Sequence, residues 1–138
     1  MLEFSLNWQY IHSVLPQFFS ATLTTLKISI ISIILAIIVG LICSILITYR
    51  VRVLNRIAQF YIELSRNTPL LIQLFFLYYG LPKLGIKIDG FACGVIGLTF
   101  LGGSYMAEAF RAGLQSVAKG QIDSAKSIRS EEHTSELQ

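Results

Sequence analysis

Residues 28–47 read ISIISIILAIIVGLICSILI, twenty positions without one charged side chain. A helix rises 1.5 Å per residue, so a run of this length covers about 30 Å, the thickness of a bilayer's hydrocarbon core. A strand does not run for twenty residues, and a buried helix of a soluble domain is rarely this uniformly apolar. A secretory signal begins with a basic segment, yet residues 1–26 contain neither Lys nor Arg. The stretch is therefore read as a membrane-spanning helix, and the expected fold class is all-α, a polytopic transmembrane helical bundle.

The rest of the chain fits that frame. Of its 138 residues, 54% are hydrophobic and only 14% charged, against about 25% charged in an ordinary globular protein. The net charge is +3, and the basic residues flank apolar runs. That placement points to an anionic membrane surface rather than to nucleic acid. Cys43 and Cys93 have no metal-ligand spacing and read as small apolar residues. The segment GLPKLGIK, residues 80–87, has two glycines at phosphate-loop distance. Ile86 stands where the lysine belongs, however, and Lys87 is not followed by Ser or Thr. No ATP site, metal or other cofactor is expected in this chain, and no nucleophile–base pair suggests an enzyme.

Three spans follow from the pattern. Residues 1–22 carry Trp8, Tyr10, Phe18 and Phe19, side chains that favour the bilayer interface, and read as an outer interfacial segment in which Pro16 bends or starts a helix. The first span is 23–48, with Lys27 snorkelling near its outer end. The second is 57–81; it contains Glu63, Arg66 and Pro69, so its first half must face protein or water. A loop at 82–90 leads to the third, 91–115. Arg50, Arg52 and Arg56 after the first span, and Arg111, Lys119 and Lys126 after the third, place both of those segments in the cytoplasm. The N-terminus is then outside.

Three features carry functional interest. Gly90, Gly94, Gly97, Leu101, Ser104 and Glu108 recur at spacings of three and four, one face of a helix. The glycines allow close helix packing, and the stripe turns polar at Ser104 and Glu108. Such a face fits plain packing, with Glu108 balancing Arg111 one turn on, and equally fits a path or gate, since an intramembrane carboxylate is expensive to keep. Pro69 removes an amide donor and bends its helix. Arg66 and Thr68, one turn before it, are expected to satisfy the freed carbonyls, either as a fixed kink or as the hinge of a moving helix. Residues 115–128, QSVAKGQIDSAKSI, are polar and helix-prone after Gly120, and read as a solvated loop or as a partner-docking helix.

The runs SRNTPLLIQLFFLYYGLP and GGSYMAEAFRAGLQSVAKGQIDSAKSI resemble the permease subunit of a bacterial ABC importer, closest to the polar amino-acid type that works with a soluble binding protein. The resemblance rests on Arg66, Thr68, Pro69, Leu70 and Leu71, then on Tyr105, Ala107, Glu108, Arg111 and Gly113, then on Gly120, Gln121 and Ala125, and covers about residues 18–128. It implies that Gly120, Gln121, Asp123, Ser124 and Ala125 belong to a coupling helix that docks on a separate ATPase subunit. Within such a permease the polar face and the proline read above make Arg66, Thr68, Pro69, Ser104 and Glu108 the expected residues of a translocation path or gate. Asp123 and Ser124 depart from the family's Glu-Ala, keeping the charge and the small size. The implied partners are ABC ATPase subunits, an extracytoplasmic substrate-binding protein and a second permease subunit, in the bacterial inner membrane. A non-transporting membrane scaffold or anchor subunit is the alternative.

The last ten residues, RSEEHTSELQ, differ in kind from what precedes them. They match the translation of a common short-read sequencing adapter, and Arg129 replaces the family's closing Gly. The expectation is a permease domain over 23–128, truncated before the end of its coupling segment with about two more spans missing, and a non-native 129–138.

Overall fold

The computed structural model describes the backbone of residues 8–49 and 52–135 and, Gln9 apart, side chains up to Ser116. All elements among them are helical: α1 (Trp8–Thr48), α2 (Arg52–Asn67), α3 (Leu70–Phe75), a π turn (Phe76–Gly80), a 3₁₀ turn (Leu81–Leu84) and α4 (Gly90–Ser135).

α1 is unbroken for 41 residues, about 60 Å, so the boundary expected at residue 22 has no counterpart in the backbone. Pro16 lies inside the helix without ending it. The carbonyl that its missing N–H leaves open belongs to His12, in an exposed turn, where solvent or headgroups can satisfy it. Among the described residues, two helical stretches are long and apolar enough to cross a membrane, Tyr10–Thr48 and Gly90–Ser116.

The second expected span is not one helix. It divides at Thr68–Pro69 into α2, which carries charge, and the shorter apolar stretch Leu70–Leu84. Pro69 adopts φ −56° and ψ 137°, an extended conformation. Proline cannot donate to the helix and disfavours helical geometry in the residue before it. The return to α4 turns at Gly85, whose φ of 87° suits a residue without a Cβ. α4 runs past the expected end at residue 115, so the segment read as a loop or separate helix continues its backbone. The side chains of Gly120, Gln121, Asp123, Ser124 and Ala125, and the whole of residues 1–7 and Arg50, lie outside the described residues.

The register of contacts gives the directions. Ile28 lies against Gly94, Ala36 against Gly102, and Gly40 against Met106 and Ala107; α1 and α4 therefore run parallel. Tyr61 lies against Gly103, Leu70 and Leu74 against Gly97, and Tyr78 near Gly90, so the α2–α3 strip runs antiparallel along α4.

The buried residues are mostly small: Ser32, Ala36, Cys43, Ser44, Ala58, Ser65, Cys93, Ser104 and Ala107. The large aliphatics of α1, among them Ile30, Ile33, Ile34 and Ile38, point outward. A water-soluble core would reverse this order. Lipid tails solvate Ile as well as a protein core does, so helices associate by close backbone approach, which small residues permit. Gly40 is the tightest such point: a Cβ there would stand 2.5 Å from the Met106 Cβ and 2.9 Å from the Ala107 amide nitrogen.

Candidate functional site: a stapled helix break beside an ion cluster

Pro69 leaves the Ser65 carbonyl, four residues back, without its helical donor. Gln73, one turn beyond the break, supplies one. Its side-chain Nε2 donates to the Ser65 carbonyl at 3.0 Å and to the Thr68 carbonyl at 2.9 Å. The new helix starts on the Pro69 carbonyl, which accepts from the amides of Ile72 at 3.0 Å and Gln73 at 3.2 Å. Arg66 and Thr68, expected in the donor role, do not fill it. Arg66 is drawn away by a carboxylate, and it is Thr68's own carbonyl that needs a donor.

The α2 side of the break is anchored to α4 by polar groups. Tyr61 Oη donates to the Phe100 carbonyl at 2.6 Å, and Ser65 Oγ donates to the same oxygen at 2.9 Å. The Tyr61 ring meets Phe100 edge-on, with centroids 4.9 Å apart. The Arg66 guanidinium pairs with Glu108 and sits 5.3 Å from the Tyr105 ring centroid. Arg111 Nη2 approaches the other Glu108 oxygen at 3.9 Å. One carboxylate thus bridges two guanidiniums, and the cluster carries one surplus positive charge. Its side chains are 37–42% exposed, so the pairs add at most about 1 kcal/mol each. Their value is in fixing the end of α2 over α4.

The α3 side carries no such polar anchor among the described residues. Leu70 and Leu74 pack on Gly97. Between α2, α3 and α4 lies a crevice of about 390 Å³, lined by Leu64, Thr68, Ile72, Gln73, Phe76 and Phe100 among others.

Of the residues singled out from sequence, Arg66 and Glu108 come together, with Thr68 and Pro69 forming the break beside them. Ser104 is fully buried and donates to the Leu101 carbonyl at 2.7 Å, apart from the ion cluster. The glycine stripe divides between neighbours: Gly94 faces Ile28 of α1, Gly97 faces Leu74 of α3, and Gly90 has only Tyr78 at 3.9 Å. The closest approach is at Gly40, which the stripe did not include; Gly103, also outside it, ties at 2.7 Å with Gly97, which the stripe did include. A Cβ on Gly103 would stand 2.7 Å from Tyr61 Oη. Gln73 had a signal, as the lone amide in the run LLIQLFFL, four residues after a proline. Tyr61 had none.

A family model described as the binding-protein-dependent transport system inner membrane component matches residues 36–133. The chain is 36% identical over 127 residues to the probable amino-acid permease protein YxeN of Bacillus subtilis, covering 90% of this chain and 57% of that protein. It is 40% identical over 108 residues to the putative glutamine transport system permease protein GlnP of Rickettsia prowazekii, covering 78% and 50%. A solved structure titled as an amino acid ABC transporter with histidines superposes with a TM-score of 0.80 at 32% identity, covering 90% of this chain and 58% of that one. The chain spans about half the length of the curated relatives it matches.

Proposed function

The chain belongs to the family of binding-protein-dependent transport system inner membrane components, and from that premise we propose that its full-length form imports a polar amino acid, driven by ATP hydrolysis on a separate subunit. The observation that carries this reading is the superposition over 90% of the chain on an amino acid ABC transporter at 32% identity, alongside relatives whose names specify amino-acid or glutamine permeases. The parallel course of α1 and α4, with the α2–α3 strip returning along α4, suits three passes with the N-terminus outside. The cationic ends after α1 and α4 then face the cytoplasm.

In this reading Arg66, Thr68, Pro69 and Glu108 form the gate region. A broken helix can change its angle at low cost, because its end groups already have partners outside the helical ladder. Ser104 serves the same path from the packed side of α4. Gly120, Gln121, Asp123, Ser124 and Ala125 dock on the ATPase, a binding protein delivers substrate from outside, and a second permease subunit completes the pathway. Residues 129–138 are non-native in this proposal; the family match runs past Ile128 to residue 133, so sequencing the source DNA across that codon is the direct check.

The functional test is uptake. The complete gene, co-expressed with its ATPase and binding protein in proteoliposomes, should accumulate a labelled polar amino acid only with ATP inside the cytoplasmic compartment. Replacing Asp123 with Lys should leave ATPase activity and abolish uptake. Accumulation of no amino acid by an assembled complex would favour the scaffold reading instead.

A further inference from the structure

We propose that Gln73 is a positioning residue that latches the α2–α3 joint, holding the crevice in its present shape, and that releasing its two hydrogen bonds lets the 70–84 stretch swing. This rests on the gate reading above and names the group that controls it.

The two sides of the joint are held differently. α2 is fixed to α4 by the Tyr61 and Ser65 bonds to the Phe100 carbonyl and by the Arg66–Glu108 pair. Beyond Pro69 the contacts with α4 are apolar, Leu70 and Leu74 against Gly97, and apolar contacts slide more readily than hydrogen bonds exchange partners. The polar link across the joint is the Gln73 side chain, to Ser65 and Thr68. Both carbonyls are ones the proline break leaves without helical donors, so a single amide does the work of two backbone N–H groups.

The orientation of that amide is determined. Turned over, it would set its oxygen against two carbonyl oxygens. As it stands, both contacts are N–H to oxygen, and Oε1 is buried without a hydrogen-bond partner among the described residues. The oxygen is therefore not what holds the side chain in place; its two donated bonds are. Because Gln73 also lines the crevice, a change in those bonds and a change in the crevice's shape are the same event.

The test uses the full-length permease assembled with its ATPase and binding protein in nanodiscs. Spin labels are placed at Phe60 on α2 and Tyr79 beyond α3, both exposed. Gln73→Met keeps length and volume but removes both donors; Gln73→Glu removes them with a near-isosteric group. Loss of one net hydrogen bond's worth of bias raises the minor population about fivefold. Both variants should therefore broaden the label-to-label distance distribution or add a second peak. Uptake per ATP should fall with little change in the concentration of loaded binding protein giving half-maximal ATPase activity. Pro69→Ala restores the N–H that a continuous helix directs at the Ser65 carbonyl, so Pro69→Ala/Gln73→Met should return to a single narrow distance. An unchanged distribution in both Gln73 variants overturns the latch, as does failure of Pro69→Ala to narrow it. A parent complex that transports nothing sinks the import reading while the distances still decide the latch. If Gln73→Met does not assemble, Gln73→Glu alone carries the comparison.

Discussion

Gly40→Ala tests whether α1 and α4 meet as closely as the structure has them. The added methyl would lie 2.5 Å from the Met106 Cβ and 2.9 Å from both the Ala107 nitrogen and the Met106 carbonyl carbon. Carbon atoms rest about 3.5–4.0 Å apart, so the shortfall is about 1 Å or more. All three obstacles are backbone or Cβ atoms, and none can rotate aside. The helices must part locally, and a gap of that size forfeits a quarter to a half of each affected contact. Overpacking of this kind costs about 1–3 kcal/mol, and a rigid obstacle belongs at the upper end. The better helix propensity of Ala returns roughly 1 kcal/mol, leaving a net loss of about 2 kcal/mol. Gly113 provides the internal control, since a Cβ there meets nothing within 4 Å; Gly113→Ala should be neutral or slightly stabilising. The assay is reversible unfolding of the full-length permease in mixed micelles, followed by helical ellipticity against denaturing detergent. Gly40→Ala should unfold earlier than the parent and Gly113→Ala no earlier. If the two variants unfold together, α1 and α4 do not approach at Gly40 and the parallel register is wrong.

Tyr61→Phe should lose only the bond to the Phe100 carbonyl, which keeps its Ser65 donor; about 0.5–1.5 kcal/mol in the same titration is expected. Gly103→Ala should cost more than Tyr61→Phe, because its methyl would both displace the hydroxyl and press on Val39; pairing it with Tyr61→Phe should recover part of the difference. Glu108→Gln leaves two guanidiniums with a neutral partner, so uptake should fall and become more sensitive to salt, whereas Arg111→Gln, whose contact is the longer one, should change uptake less. Gly85→Ala forces a side chain onto a φ of 87°, with a loss of about 1 kcal/mol and little effect on transport.

Some of this was readable one residue at a time. An uncharged run of twenty residues has few places to go but a bilayer, so the spanning part of α1 could be assigned from residues 28–47 alone, though not its start at Trp8. Pro69 announced a disturbance because its chemistry is local: it lacks an N–H wherever it sits. The pairing of Arg66 with Glu108 was not local. The two are 42 positions apart, and Arg111, one turn from Glu108, offered a nearer partner. Only the antiparallel passage of α2 along α4 brings Arg66 to that carboxylate.

The same distinction separates Gln73 from Arg66 and Thr68 as donors at the break. Sequence proximity favoured the residues before the proline, but Arg66 pairs with Glu108 on α4, while the open carbonyls of Ser65 and Thr68 meet the Gln73 amide on α3. Glycine spacing likewise showed which face of α4 could admit a neighbour, without showing which neighbour, or that Gly40 on α1 would be the closest point. Composition and periodicity determined the solvent, the helical class and the position of the break, because each depends on a residue and its immediate neighbours. Register, ion pairing and the staple across the break were decided by tertiary structure, because each depends on where one helix passes another.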